Sequence, residues 1–269
     1  MPGDKKQFLL IIMLLAIDIG NTNIVIGIFD GDKLKTTWRV ATGIHRLADE
    51  YASLILNLFD RRGIHTTDID SAVLCSVVPP LTGIIEEVCK RYLGFSPLIV
   101  EAGVKTGVRV SMDNPREVGT DRIVNAVAAH DLYGGPVIVI DLGTAITFDV
   151  VSSEGDYLGG SIAPGITIAT EALFSRTAAL PRVELTHPTR AIGRNTVTAM
   201  QSGIVFGYVA LIEGIVKRIQ QELGTNAKVI ATGGYADFLA QETPVIEAVN
   251  SDLTLSGLRL IYEMNKVKD

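Results

Sequence analysis

Apolar residues recur along this chain in two spacings. Short continuous runs rich in Val, Ile and Leu alternate with stretches in which apolar residues return every three or four positions, the pattern of strands alternating with helices. Two of the runs open matching segments. Residues 14–17 predict a buried strand that leads into the turn Asp18-Ile-Gly20-Asn-Thr22-Asn23, a second apolar strand and a hairpin turn at Gly31-Asp32. Residues 137–140 lead in the same way into Asp141-Leu-Gly143-Thr144, another apolar strand and a turn at Gly155-Asp156. The two Asp-x-Gly turns lie nearly half of the 269-residue chain apart. One such turn is an ordinary hairpin; two in the same strand context at that spacing predict a duplicated α/β domain.

Between and after these segments the pattern is mostly helical. Residues 47–59 set Leu47, Tyr51, Leu54, Ile55 and Leu58 on one face, residues 81–93 align Ile85, Val88, Cys89 and Tyr92, and residues 120–132 turn Ile123, Val127 and Leu132 inward. Further strands are expected at residues 71–78, stopped by Pro79-Pro80, at residues 98–101, and at Lys228–Thr232, which ends in Gly233-Gly234-Tyr235. Thr196–Leu223 reads as one long helix or two joined ones. Gly203, Gly207, Ala210 and Gly214 give it a small-residue ridge that a helix of the same chain or of a second copy can approach closely. A last helix is expected at Leu253–Asn265. Gly134-Gly135-Pro136 breaks the pattern and puts a boundary there, with domains at residues 13–133 and 134–269 packed around a shared cleft.

Composition narrows the function classes. Hydrophobic residues at 47% and charged residues at 20% suit a globular chain with a real core. A net charge of -6 with no basic run argues against duplex binding. One Trp and 6% aromatic residues argue against a stacking platform for single strands, so no nucleic-acid partner is expected. An anionic ligand stays open, because backbone amides hold phosphate without net positive charge. Cys75 and Cys89 have no zinc spacing and read as small buried hydrophobes in a reducing, cytoplasmic compartment. His45, His65, His130 and His187 show no metal-ligand spacing either.

The start of the chain imitates a targeting signal, with two lysines before an apolar run at residues 8–17. That run is too short to span a bilayer, no small-residue cleavage site follows it, and removing it would delete the first strand. Met13 is an alternative start, with residues 1–12 an extension, and no other stretch is read as a membrane helix.

The Asp-x-Gly turns carry candidate chemistry. Glycine lets the backbone come close to a phosphate, backbone amides with Thr or Asn side chains donate to its oxygens, and an aspartate at the strand end can bind a cation directly or through water. Two such hairpins facing across a cleft would grip a nucleotide from both sides. Asp121 is placed in the first turn of a helix, with Thr120 as its N-cap, where the helix dipole favours a carboxylate. On spacing alone it reads more readily as a capping-turn acid paired with Arg122.

Several separated blocks, in their order and spacing, are similar to those of one family. They are Asp18-Ile-Gly-Asn-Thr-Asn23, Ser76-Val-Val-Pro-Pro80, the run from Asp113 to Ala126, Asp141-Leu-Gly-Thr-Ala145, Leu158-Gly-Gly-Ser-Ile-Ala-Pro-Gly165, Gly193-Arg-Asn-Thr196 and Met200-Gln-Ser-Gly203. Over residues 13–265 the chain resembles the type III pantothenate kinases. The resemblance implies two duplicated ribonuclease-H-like α/β domains of the actin/Hsp70/sugar-kinase superfamily with a nucleotide cleft between them. It also implies ATP-dependent phosphorylation of the terminal hydroxyl of pantothenate to 4'-phosphopantothenate, the first step toward coenzyme A.

By the same resemblance, Asp18, Ile19, Gly20, Asn21, Thr22, Asn23, Ile24 and Val25 form one ATP-phosphate loop and Thr144 is the contact in the other. Asp141 is the ligand of a monovalent cation, K+ or NH4+. Gly119, Thr120, Asp121 and Arg122 bind pantothenate, with Asp121 as proton acceptor, and Thr196 is a further substrate contact. Arg122 is read either as the partner of the substrate carboxylate or as the partner of an acid. Gly233-Gly234 would hold the adenosine moiety. Mg2+ is implied by ATP chemistry, and a cytoplasmic homodimer by the family. Met112 stands where members often have a tyrosine, which keeps apolar contact and loses a phenol. The alternative function is a non-catalytic accessory regulator of transcription on the same fold; a different acceptor kinase or a phosphatase is a third reading.

Overall fold

The computed structural model describes residues 13–266; the expected extension at residues 1–12 lies outside them. The first compact unit comprises residues 13–105 and 258–266. Its sheet is built from β1 (Met13–Ile19), β2 (Asn23–Asp30), β3 (Lys33–Ala41), β4 (Ile69–Ser76) and β5 (Leu98–Ile99) in the order β3-β2-β1-β4-β5. β1, β2 and β3 form an antiparallel meander, and β4 and β5 run parallel to β1. Apolar residues fill both faces of β1, as a central strand requires, whereas β3 alternates half-buried and exposed positions, as an edge strand does. Helices α1 (Ala48–Asp60) and α2 (Pro79–Val88) bury Tyr51, Ile55, Phe59, Leu81 and Ile85 against Leu15, Ile17, Ile26 and Leu74.

The second unit, residues 106–257, repeats the plan. Strands β6 (Val137–Leu142), β7 (Ala145–Val151), β8 (Tyr157–Pro164), β9 (Lys228–Thr232) and β10 (Ala248–Val249) lie in the order β8-β7-β6-β9-β10. Strand for strand this is the order of the first sheet, with the same antiparallel meander and the same two parallel additions. The duplication expected from the two Asp-x-Gly segments is therefore present in the topology. Helices α3 (Thr120–Tyr133), α4 (Ile166–Arg176), α5 (Thr196–Leu223), α6 (Ala236–Ala240) and α7 (Leu253–Asn265) complete the chain.

Several expectations are corrected. Leu47 is the N-cap of α1 and 67% exposed, not part of its inner face; its N–H donates to Glu50 three residues on. Leu132 is 48% exposed, because the buried stripe of α3 runs instead through Val124, Val127 and Ala128. The prolines expected to stop a strand at residue 78 open α2, where their missing N–H groups cost nothing, and β4 ends at Ser76. The helix expected at residues 81–93 passes from α2 into a π-helical turn, Cys89–Leu93, closed by Gly94 in the left-handed region. Gly134-Pro136 falls between α3 and β6, inside the second unit, because Ala126 and Ala129 of α3 pack on Val137, Val139 and Tyr157.

α5 is a single helix. Asn195 caps its start by accepting the Thr198 N–H at 2.9 Å, and Gly224, left-handed, ends it. Met200, Ile204, Tyr208, Ile212 and Val216, four residues apart, are packed in the second core. By length and composition alone α5 is also apolar enough to cross a membrane, contrary to the sequence reading, with a mean hydropathy of 1.5 in its most apolar window. Its other face carries the small-residue ridge: Gly203, Gly207, Ala210 and Gly214 are exposed, and a Cβ built on any of the three glycines would meet nothing within 4 Å.

Candidate active site

The first turn of α3 gathers charged side chains around a buried acid. The N-cap is Gly119 rather than Thr120, which is the first helical residue. Asp121 therefore lies second in the helix, where its carboxylate accepts the Arg122 N–H at 2.8 Å. The Arg122 guanidinium donates through Nε to Oδ1 of Asp149 on β7 at 2.6 Å. Asp149 is fully buried and its remaining valences are met by two hydroxyls, Thr147 at 2.7 Å and Tyr157 at 2.7 Å. The guanidinium also stands over the Tyr157 ring, 5.7 Å from its centroid.

Electrostatics here depart from the simple helix-dipole expectation. Burial pushes the Asp121 carboxyl above the usual carboxylate range, the negative charge of Asp149 pushes it further, and the N–H and guanidinium of Arg122 pull back. Burial outweighs the helix terminus. It raises Asp149 as well, against the opposing Arg122 cation and the two hydroxyl donors. Tyr157 is held firmly in its phenol form by burial and by the same carboxylate. A half-buried acid with elevated proton affinity beside a fixed cation is suited to accepting a proton from an alcohol while the cation binds an anionic group.

Neither Asp149, Thr147 nor Tyr157 was among the residues expected from sequence. The signal was present in part: Thr147 and Asp149, two apart on β7, share one face of an otherwise apolar strand, and a buried carboxylate must find partners. Met112 sits beside this group, with its side chain 3.8 Å from where a Cβ on Gly159 would lie, and its neighbours Arg109 and Ser111 exchange backbone hydrogen bonds with Tyr157.

The second Asp-x-Gly turn is compact. Gly143 donates to the Ala145 carbonyl at 3.1 Å, and Asp141, at the end of β6, has an oxygen 3.2 Å from where a Gly143 Cβ would be. Two glycines press on it. A Cβ on Gly165 would lie 2.1 Å from the Thr144 carbonyl and 2.6 Å from that of Gly143. One on Gly233, whose φ is +93°, would lie 2.5 Å from the Asp141 carboxylate. The turn thus brings one carboxylate and main-chain carbonyls into the same few residues, the donor types a large monovalent cation takes. Among the described residues no group of three or more His, Cys, Asp or Glu is placed to hold a metal.

The first turn, in the other unit, is clasped by a residue the sequence did not single out. Thr42, just past β3, donates its N–H to Thr22 at 3.0 Å and its hydroxyl to the Gly20 carbonyl at 2.7 Å. The Asp18 carboxylate accepts the buried Cys75 thiol at 3.3 Å. Thr196, the first residue of α5, is exposed and lines an apolar groove of about 830 Å³ with Leu180, Met200, Gly203 and Tyr208; that lining includes none of Gly119, Asp121, Arg122, Asp141 or Thr144.

Residues 14–218 match the sequence profile of the type III pantothenate kinases. The chain belongs to the type III pantothenate kinase family. A type III pantothenate kinase of Dehalococcoides mccartyi is 54% identical over 254 residues, covering 94% of this chain and 97% of that one. Among solved structures, a Campylobacter jejuni protein described as a Baf family transcriptional activator superposes with a TM-score of 0.60 at 21% identity, covering 93% of this chain and 98% of the other. Component A of the Acidaminococcus fermentans (R)-2-hydroxyglutaryl-CoA dehydratase does so with a TM-score of 0.54 at 14% identity, over 95% of this chain and 100% of the other. At those identities the structural likeness carries the fold alone, the α/β architecture with two five-stranded mixed sheets, and lends nothing to the regulator alternative. The family establishes the activity: this type III pantothenate kinase phosphorylates pantothenate in coenzyme A biosynthesis.

Proposed function

We propose that Asp121 is the base that takes the proton from the terminal hydroxyl of pantothenate as the γ-phosphoryl group of ATP is transferred to it. What supports this reading is the setting of Asp121: a half-buried carboxylate in the first helical turn, with proton affinity raised above the usual range and with the Arg122–Asp149 pair beside it. Gly119 and Thr120 present the start of α3 to the substrate, and Arg122 receives its carboxylate. Thr196 adds a contact from the start of α5. Phosphoryl transfer needs little covalent help, so these groups act by positioning the alcohol and removing its proton.

The Asp18–Val25 turn and Thr144 hold the ATP phosphates through backbone amides and hydroxyls, and Gly233-Gly234 lies against the adenosine. A Cβ on Gly234 would meet nothing within 4 Å, which leaves room for such a ligand. Asp141 with the nearby carbonyls holds K+ or NH4+, which would offset phosphate charge. Mg2+ arrives with the nucleotide, and Asp18 would hold it directly or through water while it shields the β- and γ-phosphates. The exposed glycine ridge of α5 is the face of a homodimer, and the two buried cysteines, not joined in a disulfide, suit the reducing cytoplasm.

A coupled ADP-release assay tests the assignment. ADP release is expected only with pantothenate present and is expected to rise when sodium buffer is replaced by potassium. Equal rates in the two buffers would remove the cation role of Asp141; equal rates without pantothenate would remove the acceptor.

A further inference from the structure

The buried cluster on β7 lies outside the two Asp-x-Gly turns and joins a carboxylate, a guanidinium and two hydroxyls. A carboxylate with no exposed surface is costly unless every lone pair is met, and Asp149 is met by an ion pair and two hydroxyls from three different elements: α3, its own strand β7, and β8. The contact to Arg122 uses Nε, so the terminal Nη pair, the fork that matches a carboxylate, lies outside this hydrogen bond. The Arg122 side chain is 13% exposed, a mostly buried cation tied to Asp149 through Nε. The residue next to it in the chain is Asp121.

We infer that Asp149 is a positioning residue for the reaction: held by Thr147 and Tyr157, it fixes the Arg122 guanidinium so that its fork receives the pantothenate carboxylate, and it keeps that cation from pairing with Asp121. The inference rests on the roles proposed above for Asp121 and Arg122. It gives the network two separable effects. Fixing the guanidinium governs affinity for a substrate that carries a carboxylate. Holding a negative charge near Asp121, and tethering the positive one, keeps the base from becoming too weak.

Asp149→Asn separates this from a purely structural role. Two substrates are compared, pantothenate and its primary amide, which presents the same terminal hydroxyl without the carboxylate. The KM for pantothenate is expected to rise about tenfold, the order seen when a charge-assisted hydrogen bond is loosened, with far less change for the amide. The acid limb of kcat/KM is expected to move to lower pH, because a negative charge near Asp121 is gone and Arg122 acts on it more strongly. An unchanged ratio of the two KM values, or an acid limb that stays or moves up, overturns the inference. Should Asp149→Asn fail to fold, the double variant Thr147→Val, Tyr157→Phe keeps the charge and removes its two hydroxyl partners; a selective rise in the pantothenate KM is again expected, and an unchanged ratio is again contrary. Asp121→Asn measured alongside keeps the two readings apart: if that variant retains activity the base assignment fails, whereas if it is inactive and Asp149→Asn is unselective only the present inference fails.

Discussion

The two sheets share strand order and pairing but differ at corresponding positions on their second strands. In the first, Asp18 pairs with Val25, and two residues further along β2 stands Gly27. In the second, Asp141 pairs with Thr147, and two residues further along β7 stands Asp149. The turns differ too. Ile19 pairs with Ile24 but Leu142 with Ile146, so the first turn is one residue longer and displays Asn21, Thr22 and Asn23, all exposed, where the second displays chiefly Thr144. Each turn is clasped by the residue just past the third strand of its meander: Thr42 by hydrogen bonds in the first, Gly165 by close backbone contact in the second. One scaffold thus carries two local structures. The first copy has a longer turn backed by apolar residues and glycine, and the second a tighter turn on a strand that carries a buried charge network; in the proposed assignment the first holds phosphate and the network positions the acceptor's partner. Duplication provides the frame, and a few side chains at equivalent places divide the labour.

The sharpest way to break this contrast is Asp121→Asn, which is expected to lower kcat by about 10²–10⁴-fold, the span attributed to a positioned general base, while circular dichroism stays unchanged. A loss of similar size from the neutral Asp30→Asn on the first sheet would show that the effect is not specific to the acid on α3.

Next comes Gly165→Ala. Its Cβ would meet backbone atoms of Thr144 and Gly143 at 2.1 and 2.6 Å, so the second turn must shift. A stability loss of about 1–3 kcal/mol, the usual cost of overpacking, is expected in denaturant titration, together with weaker ATP binding. The counterpart Thr42→Val removes one hydroxyl hydrogen bond and leaves the backbone contact, so its expected cost is only about 1 kcal/mol. If the two variants are equally destabilised, the second turn is not the tighter one.

The parts of this molecule that sequence revealed are those whose cause is local. An Asp-x-Gly turn between apolar runs, a cap-and-stripe helix such as α5, and the start of α3 each carry their instructions within a few residues. Leu47 and Leu132 misled because a hydrophobic residue at a helix end satisfies the periodicity and still lies beyond the packed face. The network around Asp149 was hidden for the opposite reason. Its members stand at positions 122, 147, 149 and 157 on three elements, and only the register of β7 against its neighbours and the packing of α3 on that sheet make them one group. Thr42 and Gly165 were obscure in the same way, since each acts on a turn distant from it in the chain.

The pH dependence of kcat/KM tests the central claim most directly. Asp121 must be ionised to accept a proton, and burial raises its proton affinity, so activity is expected to fall on acidification with an acid limb above the ordinary carboxylate range, a limb missing from the residual activity of Asp121→Asn. A limb at or below that ordinary range, or one that persists unchanged in Asp121→Asn, would contradict the account.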